Sequence, residues 1–381
     1  MIYLLILIFV VVFSLKYDFK GSSNCSSGRL QAYCFLFILF VAIAGFRYNI
    51  GGDTIGYAAR FDQYPLLKNF TSANFSDINE RFQPGWVLLA SICRTIVDNF
   101  LLLQFVHVLI VNIVLFRFFR KYSINYITCI ALYFCVFYLI WNTEILRGSL
   151  AAVMGLLFFE ALDSRKYALA ILCGIASYLF HVSGIMVLLL LLASKIKLSK
   201  KGDYIFFILC LLGSQLWAIL PNSTAFYLNS LFGESNVDPY FSQEELHDLN
   251  IFGLTIFYAK YLVLPAFVII FHRKNVDKVK DFSTYIWLYI FLIMLSKYSI
   301  AFTRLSYFFL PFYIIGIVDA FSYLYKRGTI PKYAVILVLG LYLYIFQIQL
   351  LSPEDHREEL FRFQYERYYP YKSVFGDNSY K

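Results

Sequence analysis

The chain has 381 residues, of which 60% are hydrophobic and 15% are charged, and its mean hydropathy is +0.66. A water-soluble protein of this length cannot bury so much apolar surface in one or two domains. The formal net charge of +9 does not require a nucleic-acid partner, because cytoplasmic loops of membrane proteins are rich in Lys and Arg. We therefore predict an integral membrane protein that binds no nucleic acid.

The apolar stretches predict about twelve spans, since a helix that crosses a bilayer requires about 20 mostly apolar residues. They lie near residues 1–15, 30–46, 100–119, 124–141, 146–162, 167–180, 183–194, 204–220, 251–271, 282–297, 303–321 and 333–351. We interpret the first stretch as a retained span, because it lacks the basic n-region and the small-residue cleavage site of a signal peptide.

The predicted fold class is all-α, a polytopic transmembrane helical bundle of about 12 spans with one re-entrant segment. We expect a single helical domain over residues 1–351, with outer loops at 47–83 and 221–250. The tail at 352–381 is rich in Tyr, Phe and Arg. Such a composition is typical of a segment at the level of the lipid headgroups.

The distribution of basic residues predicts which loops are cytoplasmic. Together 16 Lys or Arg lie in the loops at 117–123, 163–166, 195–203, 272–281 and 326–332. The intervening connections carry 3, and they lie at 141–147, 181–183, 221–250 and 297–304. We therefore predict that the first set faces the cytoplasm and the second set faces outward.

The orientation of the first 99 residues is left open by their charges. The segment at 84–99 is interrupted by Arg94, so it is marginal for a full crossing. If it crosses the membrane, the stretch GFRYNIGGD at 45–53 is cytoplasmic; if it is re-entrant or interfacial, that stretch faces outward.

No cofactor or metal site is predicted. The seven cysteines are odd in number and show no C-x-x-C spacing, so they indicate neither a zinc site nor a disulfide framework. P-loop, Rossmann and H-E-x-x-H motifs are absent from the sequence.

Ionisable residues at span ends are the candidates for function, because a charge at membrane depth is costly. Arg47 closes the second span, and the glycines of RYNIGGD allow a tight turn that brings Asp53 back towards it. The functional interpretation is an anion-binding arginine oriented by an aspartate. The alternative is an interfacial arginine beside a structural turn.

Glu144 and Arg147 begin a helix of small residues and are spaced i, i+3, which allows a salt bridge between them. The helix dipole disfavours a cation at this end, so an anionic ligand for Arg147 is the functional alternative. His181 and Ser183 lie in a short connection between two outward-ending helices. A neutral imidazole there can take a proton from a hydroxyl, whereas Ser183 can simply cap the next helix.

Arg304 lies about one helical turn inside its span, between Lys297 and Tyr307, and a continuous helix would align all three residues. It is a further candidate for the outward site, with snorkelling as the alternative. By contrast, we interpret Gln104 and its mid-span neighbours His107 and Asn112 as donors and acceptors of interhelical hydrogen bonds. Several arginines with one candidate base suit a substrate that carries a diphosphate and a hydroxyl acceptor.

The order of these short motifs resembles that of the EpsG family of exopolysaccharide polymerases, which are related in role to Wzy-type O-antigen polymerases. The resemblance runs from roughly residue 1 to 350, and one departure is Gly148 where the family often has glutamine. The matching residues are Arg47, Gly51, Asp53 and Tyr57, then Glu80, Arg147, the F-H-x-S residues Phe180, His181 and Ser183, and finally Arg304 and Tyr307.

The resemblance implies a metal-independent glycosyltransferase of the bacterial inner membrane, whose site faces the periplasm. Its partners would be an undecaprenyl-diphosphate-linked glycan, membrane lipid and a chain-length regulator protein. This placement puts 45–53 outside, so we favour the re-entrant alternative for 84–99. A lipid-linked sugar flippase or transporter and an O-antigen-ligase-type transferase remain alternatives. A membrane O-acyltransferase is disfavoured, since the first histidine is His107.

By this resemblance, Arg147 and Arg304 would hold the diphosphate together with Arg47, and His181 would be the general base. Asp53 would orient Arg47 or bind sugar, and the loop at 221–250 would close over the saccharide. The remaining substrate-binding candidates are Tyr57, Glu80, Glu144, Ser183 and Tyr307.

Overall fold

The computed structural model describes residues 2–19, 26–70, 83–216, 251–275, 277–296, 300–328, 368 and 371–375. Within these ranges every regular element is a helix, and an isolated antiparallel bridge joins Arg47 to Ser373. The predicted all-α class is confirmed.

The helices follow the apolar stretches closely. In chain order they are α1 (Ile2–Ser14), α2 (Ser26–Gly45), α3 (Gly52–Ala59), α4 (Pro84–Ile96), α5 (Phe100–Tyr122), α6 (Tyr126–Val136), α7 (Tyr138–Thr143), α8 (Leu146–Asp163), α9 (Tyr167–Phe180), α10 (Val187–Lys195), α11 (Lys200–Leu216), α12 (Ile251–Tyr258), α13 (Leu264–Lys274), α14 (Ser283–Leu295), α15 (Ile300–Ser306) and α16 (Leu310–Lys326). A π-helical turn at Leu15–Phe19 extends α1, and another at Ala259–Val263 joins α12 to α13.

Four helical segments of the described residues are long and apolar enough to cross a membrane. They are Ile2–Phe19, Ser27–Gly45, Phe100–Tyr122 and Phe252–Lys274. Other apolar helices are shorter, including α4, α6, α9 and α14. The total of about twelve spans therefore stays a prediction, and its last member, near 333–351, lies outside the described residues.

The short helix α4 occupies the segment whose topology the charges leave open. Pro84 starts it, at a position where the missing proline N–H group has no helical partner to lose. The helix has 13 residues, whereas a full crossing requires about 20. Its length favours the re-entrant or interfacial alternative for this segment.

The chain divides into two compact units. The first comprises residues 1–154, 179–181 and 328–381, and the second comprises 155–178 and 182–327. In the first unit α2 packs on α5 and α1 packs on α6, while in the second unit α13 packs on α16 and α11 on α14. The single domain over 1–351 stays a prediction.

Interhelical hydrogen bonds hold the mid-span polar side chains of the first unit, which confirms the prediction made for them. The Asn112 side-chain nitrogen donates to Asn142 Oδ1 at 3.0 Å, and the Tyr133 hydroxyl donates to Asn112 Oδ1 at 3.1 Å. His107 Nε2 lies 2.9 Å from Ser149 Oγ. All five side chains belong to buried residues, so these bonds satisfy polar groups that water does not reach.

Candidate substrate-binding site

Arg47 lies at the centre of the turn that follows α2. Its Nε donates to the Ile50 carbonyl oxygen at 3.2 Å, its Nη2 donates to Thr54 Oγ1 at 2.9 Å, and its Nη1 donates to the carbonyl oxygen of Ala44. The residue is only 1% exposed. This burial favours the structural alternative for Arg47, because a guanidinium in this position holds the turn rather than an external ligand.

Gly51 has the conformational role predicted for the glycines of this turn. Gly51 has a φ of 96°, and Asn49 also has a positive φ, of 49°. A Cβ atom on Gly51 would overlap the backbone of Thr143. The turn directs the chain into α3, where Asp53 lies half-buried in the first helical turn and Thr54 is fully buried.

Replacement of Gly51 by alanine is expected to destabilise the first unit. A backbone conformation with this positive φ costs a residue with a Cβ about 1–3 kcal/mol, and Thr143 must also move. Gly56→Ala is the matched control, because nothing lies within 4 Å of the added methyl group and alanine favours helix α3. We expect the melting temperature in detergent to fall for Gly51→Ala and not for Gly56→Ala; equal melting of both variants would contradict the role of Gly51.

Gln104 on α5 also supports the arginine turn. Its side-chain nitrogen donates to the carbonyl oxygens of Gly45 at 2.7 Å and of Arg47 at 2.9 Å. These are the last carbonyl of α2 and the one two residues beyond it, which have no helical partner. Gln104, which the sequence predicts to form interhelical hydrogen bonds, thus holds the backbone of the Arg47 turn in place.

The described part of the C-terminal tail folds onto this same turn. We call residues 371–375 the C-terminal strap. Three hydrogen bonds attach it: Tyr48 N to the Lys372 carbonyl (2.9 Å), Val374 N to the Phe46 carbonyl (3.0 Å) and the Tyr371 hydroxyl to the Ile43 carbonyl (3.0 Å). Burial raises the pKa of Tyr371 to about 12, so its hydroxyl stays a donor at neutral pH. The aromatic composition of the tail predicts an interfacial position and does not reveal this partner.

Arg147, the second residue of α8, is oriented by two side chains from distant parts of the sequence. Its Nε donates to the Tyr57 hydroxyl and its Nη1 donates to Gln83 Oε1, both at 2.8 Å. The guanidinium also lies 5.8 Å from the centroid of the Tyr57 ring. Arg147 is half-buried, so it is held in one orientation at the protein surface.

Tyr57 packs against Trp86, which is itself hydrogen-bonded to Tyr64. The Tyr57 ring lies 4.9 Å from that of Trp86, and the Trp86 indole nitrogen donates to the Tyr64 hydroxyl at 2.8 Å. Tyr57, Tyr64 and Trp86 are all buried. Burial raises the pKa of Tyr64 above its ordinary value, so this hydroxyl remains neutral. The arrangement restricts the position of the Tyr57 hydroxyl that Arg147 contacts.

Gln83 is the functional candidate that sequence reasoning missed. It precedes Pro84 and occupies the N-cap position of α4. The Gln-Pro pair marks the start of a helix, but it carries no signal for the contact with Arg147.

Glu144 lies between α7 and α8, half-buried, and accepts a hydrogen bond from the Tyr368 hydroxyl at 2.6 Å. Tyr368 is 2% exposed, so this part of the tail is buried in the first unit. Glu144 and Arg147 are the two residues of the predicted i, i+3 pair. Within the described residues, Glu144 contacts the tail, whereas Arg147 contacts Tyr57 and Gln83. The remaining candidate of this region, Glu80, lies outside the described residues.

His181 lies in the turn that ends α9, and it is half-buried. The backbone of Leu179, two residues earlier, packs against Gly85 so closely that a Cβ there would lie 2.8 Å from the Leu179 carbonyl oxygen. Gly85 follows Gln83, a partner of Arg147, by two residues. The contact thus joins the His181 turn to the start of α4, where Arg147 is held.

Ser183, Arg304 and Tyr307 belong to the second unit. Ser183 is buried in the 3₁₀ turn Val182–Met186, and α15, which carries Arg304, packs against this turn. Arg304 and Tyr307 are half-buried. These contacts place α15 beside the segment that contains Ser183.

The expectation of a continuous helix through Arg304 and Tyr307 is wrong. Helix α15 ends at Ser306, and Tyr307 lies in the turn before α16. Pro311 explains the break, because its ring clashes with the carbonyl four residues earlier, which is that of Tyr307. Lys297 lies outside the described residues, so its alignment with Arg304 stays a prediction.

The fold and these contacts define an all-α integral membrane protein with a polar site at helix ends. The chain belongs to the EpsG family, whose family model matches residues 31–373. The matched range includes Arg47, Arg147, His181 and Arg304, and it extends into the C-terminal strap. The family is associated with an exopolysaccharide polymerase-like, glycosyltransferase-like function. Comparison with curated proteins and with solved structures gave no match.

Proposed function

We propose that this protein is a polysaccharide polymerase that joins undecaprenyl-diphosphate-linked oligosaccharide repeat units at the outer face of the cytoplasmic membrane. The observation that carries the proposal is the half-buried Arg147, held by Tyr57 and Gln83 in a member of the EpsG family. A guanidinium remains protonated at any physiological pH and matches the geometry of phosphate oxygens. The first unit therefore supplies an oriented cation for the lipid diphosphate.

The proposed reaction is glycosyl transfer from the lipid diphosphate of the growing chain. An acceptor hydroxyl on the incoming lipid-linked unit attacks the anomeric carbon of the growing chain and forms a new glycosidic bond. The bond between that carbon and the diphosphate oxygen breaks, and undecaprenyl diphosphate leaves with the electron pair. His181 receives the proton of the acceptor hydroxyl, which is the role of a neutral imidazole acting as a general base.

Arg147 stabilises the charge that develops on the departing diphosphate. Tyr57 and Gln83 are neutral partners that orient the guanidinium. A donor that is already oriented needs no reorganisation when the reaction occurs, which is the main source of electrostatic catalysis.

The other candidates have supporting roles in this proposal. Arg304 is a second ligand of the diphosphate, and the buried Arg47 acts as a positioning residue that holds the turn leading to Asp53. Substrate binding is assigned to the remaining polar candidates, Asp53, Glu80, Glu144, Ser183 and Tyr307. The loop at 221–250, proposed to cover the saccharide and exclude water, lies outside the described residues. A chain-length regulator protein and membrane lipid are the further partners.

The test is the length and location of lipid-linked glycans in a strain that lacks the protein. We expect single repeat units to accumulate at the outer face, and the wild-type gene, but not His181→Ala present at equal membrane level, to restore long polymer. Units trapped at the inner face would instead indicate a flippase. Long lipid-linked polymer that is not passed to its final acceptor would indicate a ligase.

A further inference from the structure

A cavity of about 600 Å³ lies within the second unit, at the ends of α8, α10 and α13 and the start of α14. Its volume is in the range of small-ligand pockets, about 300–1,000 Å³. Phe159, Leu162 and Ile196 contribute apolar surface to its lining. The cavity therefore offers an occupant both apolar and charged surfaces.

Basic side chains outnumber acidic ones in this lining. The five basic residues are Arg165, Lys195, Lys197, Arg273 and Lys280, and the two acidic ones are Asp163 and Asp281. Arg273 pairs with Asp203 at 2.9 Å, and Lys280 pairs with Asp163. The side chains of the other three cations form no hydrogen bond or ion pair within the described part of the chain. Three positive charges are thus left for an external anion.

The backbone at Arg165 indicates that an arginine is used here in spite of local strain. Lys166 N bonds to the Ala161 carbonyl at 2.8 Å and Arg165 N bonds to the Leu162 carbonyl at 3.0 Å, which is the Schellman ending of a helix. Arg165 occupies its left-handed position, with φ 57°. Glycine is the usual residue there, since a Cβ is unfavourable in this conformation. The end of α8 therefore does not itself require an arginine at position 165.

The cavity adjoins an apolar surface that has the geometry for an acyl chain. Tyr167 lines the cavity at the start of α9. Ile171 and Ile175 follow at successive helical turns on the same face, and the three residues are 60%, 61% and 53% exposed. Three of the loops that the charge distribution predicts to be cytoplasmic, at 163–166, 195–203 and 272–281, supply all seven charged residues of the lining.

We propose that this cavity binds the phosphate headgroup of an anionic phospholipid, whose acyl chains lie on the exposed face of α9. Arg165, Lys195 and Lys197 bind the phosphate, as basic pockets between membrane helices do on the cytoplasmic side. A free phosphate compound would share the charged contacts but not the apolar face. The inference does not depend on the proposed glycosyl transfer.

The test uses the purified full-length protein, stripped of lipid in a neutral detergent, and native mass spectrometry with added phosphatidylglycerol or phosphatidylcholine. We expect the triple variant Arg165→Ala, Lys195→Ala, Lys197→Ala to bind phosphatidylglycerol at least about tenfold more weakly. The matched control is Lys121→Ala, Lys200→Ala, Lys201→Ala, which removes the same charge from residues outside the cavity and should bind as the wild type does. Equal weakening in both triple variants, or equal binding of phosphatidylcholine, would overturn the proposal.

Two further measurements distinguish lipid binding from the binding of a free phosphate compound and from a purely structural role of Arg165. Millimolar inorganic phosphate or glycerol 3-phosphate should not displace phosphatidylglycerol, and full displacement would assign the cavity to a free phosphate compound instead. Arg165→Gly should weaken lipid binding while the melting temperature stays the same or rises, because glycine relieves the left-handed strain. Unchanged lipid binding by this variant would contradict the role of the arginine side chain.

Discussion

Replacing Arg147 with alanine is expected to reduce polymer synthesis by about 10²- to 10³-fold, the usual effect of removing one preorganised donor from an active site. The guanidinium is held at two of its nitrogens, by Tyr57 and Gln83, so its position relative to the diphosphate is set before the substrate binds. The measurement is the rate of polymer formation in membranes supplied with lipid-linked repeat units.

Conservative variants test whether the contribution of Arg147 to activity depends on its geometry or only on its charge. Arg147→Lys keeps the charge but cannot contact Tyr57, Gln83 and a phosphate with the same planar group, so we expect an intermediate loss. Tyr57→Phe keeps the ring that packs on Trp86 and removes the hydroxyl acceptor, and we expect a smaller loss. A lysine variant with wild-type activity would show that charge alone suffices.

Arg117→Ala is the matched control, because Arg117 is an exposed arginine of α5. Its activity should equal that of the wild type. If Arg147→Ala makes polymer at the normal rate while present at normal membrane levels, Arg147 has no part in the reaction. If both arginine variants lose activity equally, the loss reflects total positive charge and not the site.

Removal of residues 368–381 is expected to abolish most of the activity, even though Arg47, Arg147 and His181 remain. The deletion removes the bond from Tyr368 to Glu144 and the three bonds between the C-terminal strap and the end of α2. Each is worth about 0.5–1.5 kcal/mol net, and together they hold the turn that contains Arg47. We expect faster amide hydrogen exchange over residues 45–54 and a loss of polymer comparable to that of Arg147→Ala.

The matched control for this deletion removes only residues 376–381 and retains every described contact of the strap. It should keep both slow hydrogen exchange at 45–54 and normal activity. Normal exchange and normal activity after removal of 368–381 would show that the strap does not order the turn. Fast exchange with normal activity would show that the turn is not part of the site.

Local properties of the sequence were sufficient to predict much of the fold. The helical periodicity of apolar residues is weak in this chain. The lengths of the apolar stretches and the polar residues between them nevertheless predict the positions of most described helices to within a few residues. The RYNIGGD stretch predicted a tight turn, and the positive φ of Gly51 confirms it. Gln104, His107 and Asn112 form the interhelical hydrogen bonds that their mid-span positions predict. These features depend on neighbours in sequence or on the high cost of an unpaired polar group in an apolar interior.

The candidate site itself was only partly predictable. Arg147 and Tyr57 were selected from the sequence, but Gln83, which lies 64 residues from Arg147, was not. The sequence leaves open whether Arg47 binds an anion or has a structural role, and its burial and its hydrogen bonds to Ile50 and Thr54 favour the structural role. The break between α15 and α16 is predictable from Pro311, since its ring excludes a continuous helix through Tyr307.

The all-α class, the membrane location and the EpsG family all follow from composition, apolar length and motif order, which are properties of the chain alone. Helix packing, in contrast, selects which polar groups meet: Gln83 with Arg147, the C-terminal strap with the Arg47 turn, and Arg165, Lys195 and Lys197 in one cavity. These contacts join segments far apart in the chain. They form only because packing compensates for the entropy of closing long loops, and that balance is not visible in any local pattern of residues.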